Sequence, residues 1–195
     1  MLSFSYNREI KRKLFHLSSS VIGISLLLVG KSIVLPITIL LTFIVLFFDI
    51  IRNRNTIIKD LYNKLFQIMT RPQESNNLTG ASWLLFGASI TMLLFDELPS
   101  ATGLLFLSIG DSVAALFGRK YGKTKIGHKS LEGSIAFFIS CVIISLFIPG
   151  LNIWVGVISA SVATVVELVG IFKLNDNFTI PIVTALFVQI FGGLF

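Results

Sequence analysis

The central stretch of the chain, residues 110–134, reads GDSVAALFGRKYGKTKIGHKSLEGS. It starts with a carboxylate, Asp111, inside an otherwise apolar segment, and it continues as a basic loop interrupted by glycines. A carboxylate in a segment at membrane depth is energetically costly and by default indicates a functional site. Glycines let the backbone approach a ligand, and five Lys and Arg side chains supply charge, which suits a polyphosphate. The stretch therefore predicts a site for a metal ion and a nucleotide.

The composition around this stretch is that of a membrane protein. The chain has 195 residues, of which 54% are hydrophobic and 13% are charged, and its mean hydropathy is +0.87. Soluble domains usually carry about 25% charged residues. Long apolar runs separated by short polar clusters place the chain in a bilayer, as one helical unit over residues 1–195 without a separate soluble domain. Its single cysteine, Cys141, excludes an intramolecular disulfide.

The apolar runs predict an all-α, polytopic membrane protein with about seven transmembrane helices. The first run follows the basic residues 1–16 and extends to Val29; no small-x-small cleavage site follows it, so it is predicted to be a retained anchor rather than a signal peptide. Several runs are near the lower limit of roughly 17 residues, and six spans are possible if the first or the last is re-entrant. Residues 52–78 form a connector that is either an interfacial helix or a solvated segment. The other predicted spans lie at about 32–51, 79–95, 99–117, 132–148, 152–172 and 178–195.

The placement of the cations supports an odd number of spans. On one side of the predicted membrane, four segments between the spans hold 15 of the 16 Lys and Arg residues. These segments are residues 1–16, 52–78, 118–131 and 173–177. Cytoplasmic loops carry such an excess, so the N-terminus is predicted to be cytoplasmic and the C-terminus to be outside. This topology also accounts for the net charge of +6, and no nucleic-acid partner needs to be invoked.

The acids inside the apolar runs collect at the same boundary. Asp49 and Glu167 lie at the inner ends of the second and sixth spans, and Asp111 lies about six residues, or roughly 9 Å, inside the fourth. Glu132 opens the fifth span and Asp176 precedes the seventh. The third, fifth and seventh spans start at this boundary, and helix N-termini are ready anion sites. Carboxylates, cations and helix N-termini are therefore expected to converge on one face.

Several shorter motifs have both a functional and a structural interpretation. Arg12-Lys13-x-x-His16 is either a phosphate or headgroup contact or an ordinary positive-inside anchor. Leu78-Thr79-Gly80-Ala81 is favoured as a helix cap with small packing residues, and Asp176-Asn177 could equally cap the last span. The basic loop itself is compatible with a generic cytoplasmic connection. It is not a P-loop, because its glycine–lysine spacings do not match and no strand precedes them.

These pieces, in this order, resemble the CTP-dependent lipid-alcohol kinases, that is, dolichol kinase, phytol kinase and the CTP-using diacylglycerol kinases. The matching stretches are Arg12-Lys13-x-x-His16, Leu78-Thr79-Gly80-Ala81, Gly110-Asp111 through Lys129-Ser130-x-Glu132-Gly133-Ser134, and Glu167 with Asp176-Asn177-x-x-x-Pro181. Together they span nearly the whole chain, and the central and last pieces are the more specific.

The resemblance implies an enzyme that transfers the γ-phosphoryl group of CTP to the hydroxyl of a lipid alcohol at the cytoplasmic face, with Mg²⁺. The acceptor would be a polyprenol or dolichol, a phytol-like isoprenoid or diacylglycerol; protein partners are not indicated. Asp111 would hold Mg²⁺, and Glu132, Asp176 or Asn177 would complete its ligands. Asp111, Glu132 and Glu167 are the catalytic candidates, with Asp111 and Glu167 as alternatives for the base. The nucleotide would contact Arg119, Gly122, Lys123, Lys125, Lys129, Ser130 and Gly133, and the lipid or the transferred phosphate would contact Arg12, Lys13, His16, Thr79 and Gly80.

Two other functions remain as alternatives. The central stretch also resembles phosphatidate cytidylyltransferases, but the Lys-Asp segment and the Pro-Gly-His-Gly-Gly-x-x-Asp-Arg run that characterise those enzymes are missing here. A small anion transporter is less favoured, because the acids cluster at one face and no inverted repeat is evident.

Overall fold

The computed structural model describes residues 6–66, 77–170 and 174–193. Within these ranges the fold is all-α, as predicted, except for one short hairpin. The elements, in chain order, are α1 Tyr6–Ser18, α2 Ser20–Val29, α3 Lys31–Arg54, α4 Thr56–Phe66, α5 Gly80–Leu94, α6 Glu97–Leu105, a π-helical turn Phe106–Gly110, α7 Asp111–Tyr121, β1 Lys125–Ile126, β2 Lys129–Ser130, α8 Leu131–Ser145, α9 Ile153–Val169 and α10 Asp176–Gly192.

Three helical stretches of the described chain are long and apolar enough to cross a membrane. They are Tyr6–Val29, which joins α1 and α2, Lys31–Arg54, and Glu97–Tyr121, which joins α6, the π turn and α7. The apolar helices α5, α8, α9 and α10 are shorter, at 15 to 17 residues. At about 1.5 Å per residue they measure about 22–26 Å, less than the roughly 30 Å of a hydrocarbon core. The number of spans therefore stays a prediction, while the membrane class agrees with the three long helices.

A run of serines separates α1 from α2 within the helical stretch Tyr6–Val29. The hydroxyl of Ser18 donates to the carbonyl of Phe15, and the hydroxyl of Ser19 donates to that of His16, both at 2.6 Å. Such bonds back onto the preceding turn compete with the helical ladder and bend helices. The basic residues that were expected to form a lead-in belong to helix α1. Glu9, Lys13 and His16 of this helix are buried.

Helix α6 is the centre of the bundle. Every residue from 99 to 108 is buried. Small residues let its neighbours approach closely: a Cβ on Gly103 would lie 2.4 Å from the carbonyl oxygen of Pro181 in α10, and one on Gly23 of α2 would lie 2.8 Å from Leu105 Cγ. Close helix contacts of this kind are typical of membrane proteins. They hold α2 and α10 on two sides of the helix that leads to Asp111.

Polar residues meet at the two ends of the bundle. At one end the Lys31 amide donates to Glu97 Oε2 at 2.8 Å, and Gln189 Nε2 donates to Asp96 Oδ2 at 2.5 Å. The charged residues that are buried lie at the opposite end, which includes the site described below. This separation agrees with the predicted sorting of charge to the two ends.

The basic loop differs from the prediction in its local structure. Helix α7 continues to Tyr121, so residues 118–121 are helical. Residues 125–130 form an antiparallel hairpin in which Lys125 pairs with Ser130 and Ile126 with Lys129. Gly127, in the turn, has a φ of +59°, which favours glycine. Part of the predicted connector 52–78 is helix α4, and residues 67–76 lie outside the described residues.

Candidate active site

The first part of the site lies where α1 contacts the start of α7. The Lys13 ammonium donates to Asp111 Oδ2, and His16 Nε2 lies 3.3 Å from the same oxygen without the alignment of a hydrogen bond. Lys13 is 2% exposed and His16 is 7% exposed. A charge buried to this extent needs an opposite charge beside it, so Asp111 is the group that makes the burial of Lys13 tolerable.

The π turn brings Asp111 to this position. Its five residues end at Gly110, and α7 begins at Asp111 itself. A Cβ on Gly110 would lie 2.9 Å from both Cys141 Sγ and a ring carbon of Phe137, so the turn is packed directly on α8. A π turn inside an α-helix is rare and frequently occurs at a functional site. It was not foreseen from the sequence.

A second ion pair flanks this contact. Glu9 Oε1 accepts from Arg12 Nη2 at 2.6 Å, and Glu9 Oε2 lies 3.7 Å from Arg119 Nη2. Glu9 is 3% exposed, whereas the Arg119 side chain is 39% exposed. Arg119 was predicted to contact the nucleotide, and Arg12 was predicted to contact the lipid or the transferred phosphate. In the structure both side chains lie beside the same carboxylate, that of Glu9 on α1.

The second part of the site joins the hairpin to α9 and α10. Lys129 Nζ lies 2.9 Å from Glu167 Oε1 and 2.8 Å from Asp176 Oδ2, and it also donates to the backbone carbonyl of Glu167. The hydroxyl of Ser134 donates to Glu167 Oε2 at 2.8 Å. Burial by itself lowers the pKa of Lys129, but the carboxylates of Asp176 and Glu167 outweigh it, and the pKa lies above its ordinary value. The ammonium group is therefore charged at neutral pH.

The two parts are electrostatically coupled. The positive charge of Lys129 also acts on Asp111, and the carboxylates of Asp111 and Asp176 are near enough to repel each other. We call these groups together the charged cluster: Lys13, His16, Asp111, Lys129, Glu167 and Asp176. It gathers side chains from the first and last helices around three carboxylates.

The side chains of the charged cluster supply too few ligands to enclose a divalent cation by themselves, but they can hold one that also binds substrate phosphates. No group of three or more His, Cys, Asp and Glu side chains with metal-site spacing occurs within the described ranges. Asp111 and Asp176 each contact a lysine of the charged cluster, and Mg²⁺ is often held by one or two carboxylates while substrate phosphates and water supply the rest. Asn177 donates through Nδ2 to the Gly80 carbonyl at 2.8 Å, which leaves its amide oxygen as a further hard donor. The residues therefore fit Mg²⁺ that arrives with phosphate ligands.

Glu132 lies at the base of the hairpin. Its two carboxylate oxygens accept from the Thr124 amide at 3.0 and 3.3 Å, and the Leu131 amide donates to the Thr124 carbonyl at 3.0 Å. Lys123 and Lys125, also in this segment, are exposed. Glu132 therefore shapes the hairpin that carries Lys129, and Lys123 and Lys125 extend into the surroundings.

The glycines and the serine of the predicted nucleotide loop pack α7 against α8. Ser130 Oγ accepts from the Gly133 amide at 3.2 Å and caps α8. A Cβ on Gly133 would lie 2.9 Å from the Ala114 carbonyl, and one on Gly122 would lie 2.5 Å from Ser130 Oγ. These contacts bring the hairpin back over the end of α7 and so carry Lys129 towards Asp111.

A buried ion pair at the neighbouring end of α3 holds the start of α5. Asp49 Oδ2 accepts from the Thr79 amide at 2.7 Å, from the Thr79 hydroxyl at 2.9 Å and from the Ser82 hydroxyl at 2.6 Å. Arg52 Nε lies 2.8 Å from Asp49 Oδ1, and both residues are 1% exposed. Thr79, which is 2% exposed, and Gly80 thus act here as a helix cap and as the partner of Asn177.

Comparison with known proteins decides the family. The chain is 31% identical over 217 residues to the CTP-dependent diacylglycerol kinase 1 of Saccharomyces cerevisiae, covering 95% of this chain and 74% of that protein. It is 30% identical over 205 residues to the protein of the same name in Schizosaccharomyces pombe, covering 93% of each. The chain belongs to the CTP-dependent lipid kinase family. It is a phosphotransferase with an alcohol acceptor, as the sequence motifs predicted.

A further relative matches only part of the chain. The dolichol kinase of Saccharomyces cerevisiae is 36% identical over 108 residues, which are 51% of this chain and 20% of that protein. No protein-family model and no solved structure matches the chain. The lipid kinase family is therefore shown by relatives that align along nearly the whole chain.

Within this kinase, the structure groups some of the predicted site residues and separates others. Lys13, His16 and Asp111 meet at one contact, and Lys129, Glu167 and Asp176 meet at another. Glu132, Ser130 and the glycines lie in the hairpin and the α7–α8 packing, and Thr79 and Gly80 lie in the α5 cap.

Sequence reasoning placed Asp49 at the predicted membrane boundary and Ser134 in a matching stretch, but it assigned no role to them or to Glu9 and Arg52, and all four support this arrangement. Glu9 holds Arg12, Ser134 bonds Glu167, and the pair Asp49 and Arg52 anchors α5. The spacing of Asp49 and Arg52, three apart in an apolar run, was a usable signal for an i, i+3 ion pair. The sequence carried no comparable signal for the bond between Ser134 and Glu167, because a single small residue in an apolar run is more often a packing residue.

Proposed function

We propose that this kinase transfers the γ-phosphoryl group of CTP to the hydroxyl of a membrane lipid alcohol and releases CDP. The observation that carries the proposal is the charged cluster, in which three carboxylates and two lysines from five separate elements converge at one end of an apolar bundle. Phosphoryl transfer requires mainly positioning and charge neutralisation, and such a cluster supplies both.

The acceptor is proposed to be diacylglycerol, a polyprenol or dolichol, or a phytol-like isoprenoid. Diacylglycerol is the first to test, since relatives named as CTP-dependent diacylglycerol kinases align with 93% to 95% of the chain, whereas dolichol kinase aligns with 51%. All these acceptors combine a hydroxyl with a hydrocarbon chain, which suits a site where buried charges adjoin apolar helices.

In the proposed reaction the lipid oxygen bonds to the γ-phosphorus while the bond from that phosphorus to the β–γ bridging oxygen breaks. Asp111 and Asp176, with the amide oxygen of Asn177, would hold Mg²⁺ on the phosphates, and the bound ion would neutralise their charge. Lys13 and Lys129, which neutralise these carboxylates in the ligand-free arrangement, would then turn to phosphate oxygens. The exposed Lys123, Lys125 and Arg119 would bind the remaining phosphates.

The hydroxyl proton passes to a carboxylate of the charged cluster. Asp111 is the more accessible candidate, with its side chain 16% exposed against 6% for Glu167. Both oxygens of Glu167 are already engaged by Lys129 and Ser134. A loose transition state releases the proton late, so a strong base is not required. His16, beside Asp111, and Arg12 would orient the lipid hydroxyl or the transferred phosphate.

The proposed topology has seven spans, a cytoplasmic N-terminus and the charged cluster at the cytoplasmic face. It is supported by the distribution of Lys and Arg and by the separation of polar contacts to the two ends. Cysteines introduced at Lys125 and at Lys31 test it, because native Cys141 is fully buried. We expect an impermeant thiol reagent added to intact cells to label position 31 and not position 125; the reverse pattern would overturn the orientation.

The activity is tested with purified protein, γ-labelled CTP, Mg²⁺ and a panel of diacylglycerol, polyprenols and phytol. We expect label in one class of lipid, with release of CDP. CDP-lipid and pyrophosphate formed from phosphatidate would instead indicate a cytidylyltransferase. Anion flux into proteoliposomes without nucleotide turnover would indicate a transporter.

A further inference from the structure

Glu9 is a buried acid to which the proposed reaction assigns no part. Its side chain is 3% exposed, and its oxygens accept two hydrogen bonds from Arg12, Oε1 from Nη2 at 2.6 Å and Oε2 from Nε at 3.1 Å. Arg119 Nη2, from α7, lies 3.7 Å from Oε2. A buried ion pair is often no more favourable than apolar packing of the same volume. Stability alone therefore does not account for an acid at this position.

The two hydrogen bonds from Arg12 fix the orientation of its guanidinium group. They come from Nε and Nη2, which form one edge of a rigid, planar fork of five N–H donors. The carboxylate therefore sets the plane of the group, and Nη1 is turned away from it. Because Glu9 and Arg12 are three positions apart on one helix, they are neighbours on its surface and α1 itself supplies the alignment.

Glu9 also brings a second guanidinium group close to the first. Arg12 and Arg119 belong to helices that pack against each other, and their like charges would repel without a carboxylate beside both. One carboxylate balances only one of the two charges, so the arrangement keeps a net positive charge. Guanidinium groups bind phosphate oxygens with paired, charge-assisted hydrogen bonds. The two arginines held by Glu9 are therefore suited to binding phosphate.

The buried pair of Asp49 and Arg52 provides a comparison. Both residues are 1% exposed, and the other hydrogen bonds of Asp49 go to the start of α5. At Glu9 the acid is also buried, but the side chain of Arg119 is 39% exposed. The arrangement at Glu9 therefore includes a cation that a ligand in solvent can reach.

The position of Glu9 is compatible with a role towards the phosphates of CTP. Glu9 precedes Lys13 by about one helical turn, or about 6 Å of rise, and Lys13 contacts Asp111, the proposed metal ligand. Arg119 lies in the last turn of α7, after which comes the exposed Lys123. Glu9 is thus adjacent both to the proposed reaction centre and to the basic segment.

We infer that Glu9 is a positioning residue for the phosphates of CTP, because it holds the guanidinium groups of Arg12 and Arg119 side by side. It acts through these two groups and does not itself touch the substrate. The inference rests on the proposed function for the source of the phosphates. It gives a reason for an acid among the cations that would bind them.

The kinetics of substituted proteins test the inference. Glu9→Gln keeps the shape of the side chain but removes the charge that holds both guanidinium groups. We expect it to raise the KM for CTP by about tenfold and to leave the KM for diacylglycerol unchanged. Glu9→Asp retains the charge and should restore part of the affinity for CTP. Glu97→Gln, at an exposed position at the opposite end of the bundle, is the matched control and should change neither KM.

Two kinetic results would overturn the inference. A lower KM for CTP in Glu9→Gln would mean that Glu9 competes with the phosphates, and an equal rise in both KM values would mean a general loss of structure. The Arg119→Gln background tests the route of the effect. There Glu9→Gln should raise the KM for CTP by a smaller factor than in wild type. Factors that simply multiply would contradict an action of Glu9 through Arg119.

Phosphate binding without turnover separates this inference from the proposed function. The unfolding midpoint of the full chain in detergent is measured with Mg²⁺ and increasing inorganic tripolyphosphate, without lipid or CTP. We expect Glu9→Gln to need about tenfold more tripolyphosphate than wild type or Glu97→Gln for the same rise in midpoint. That result without any kinase activity would support the role of Glu9 and refute the proposed function. Kinase activity with equal responses, or no response, in the three proteins would refute the inference alone.

Discussion

Lys129 Nζ lies 2.8 Å from a carboxylate oxygen of Asp176, a residue 47 positions further along the chain. The same nitrogen lies 2.9 Å from Glu167 Oε1. One cation on a two-residue strand thus holds the C-terminal end of α9 and the N-terminal end of α10 against the hairpin. The positions of two carboxylates of the charged cluster depend on it.

Replacing Lys129 with methionine is expected to destabilise the protein. The side chain keeps a similar length, but Glu167, which is 4% exposed, loses its cation. Breaking a buried pair costs about 3–5 kcal/mol, and the partial exposure of Lys129 reduces the expected loss to about 1–3 kcal/mol. Thermal unfolding in detergent measures it. The double variant Lys129→Met/Glu167→Gln should be less destabilised than the sum of the two single variants. A loss equal to that sum would contradict a direct interaction between Lys129 and Glu167.

The contribution of Lys129 to stability is expected to be constant from pH 7 to 9. Burial lowers its pKa, but Asp176 and Glu167 raise it further, so the folded-state pKa exceeds the unfolded value of about 10.4. Such a group stabilises the fold fully below the unfolded pKa and loses its effect as the pH rises through the folded pKa. The difference in unfolding midpoint between wild type and Lys129→Met, measured across pH, should shrink only above about pH 10.4. A decrease between pH 7 and 9 would contradict the ion pair.

Asp111→Asn is expected to lower kcat by about 100-fold or more. Asparagine removes the charge that pairs with Lys13 and that would bind Mg²⁺, while the shape of the side chain is retained. Kinase assays on protein shown to be folded by its unfolding transition measure the effect. Asp60→Asn, at an exposed position on α4, is the matched control and should retain full activity. An Asp111→Asn protein with the kcat of wild type would rule out its proposed role.

Asp49→Asn is expected to reduce stability rather than chemistry. One oxygen of Asp49 accepts three hydrogen bonds, and the substitution removes the negative charge that lies 2.8 Å from Arg52, whose side chain is 1% exposed. The expected loss is about 3–5 kcal/mol, seen as a lower unfolding midpoint, with activity per folded molecule retained. Asp96→Asn, exposed at the opposite end, should cost about 0.5 kcal/mol or less. Equal losses in the two variants would contradict the anchoring role.

Gly133→Ala is expected to disturb the crossing of α7 and α8. The added Cβ would lie 2.9 Å from the Ala114 carbonyl and 3.2 Å from Gly118 Cα, both of them backbone atoms that cannot rotate away. Gly192→Ala, where nothing lies within 4 Å, is the matched helical control and should be neutral or stabilising by up to about 1 kcal/mol. Unfolding midpoints compare the two. A stabilising Gly133→Ala would contradict the close contact.

Much of the candidate site followed from residue types that are costly in an apolar chain. Asp111, Glu167 and Asp176 were singled out because a buried carboxylate requires a partner, and each has a lysine beside it. The roles inside the basic loop were harder to assign. A lysine that turns inward, like Lys129, and one that stays exposed, like Lys125, look the same in sequence, because their difference arises from the register of the short hairpin at residues 125–130.

The sequence by itself determined the all-α membrane class, the kinase family and the carboxylates of the site, because these depend on hydropathy, charge and motifs carried by short segments. Only the tertiary structure decided which acid meets which base. Lys13 and Asp111 are 98 residues apart, and Asp49 and Thr79 are 30 apart, so their contacts depend on how whole helices pack. The π turn before Asp111 and the glycine contacts of α6 and α8 set that packing. Their effect is steric and becomes apparent only when two helices are placed against each other.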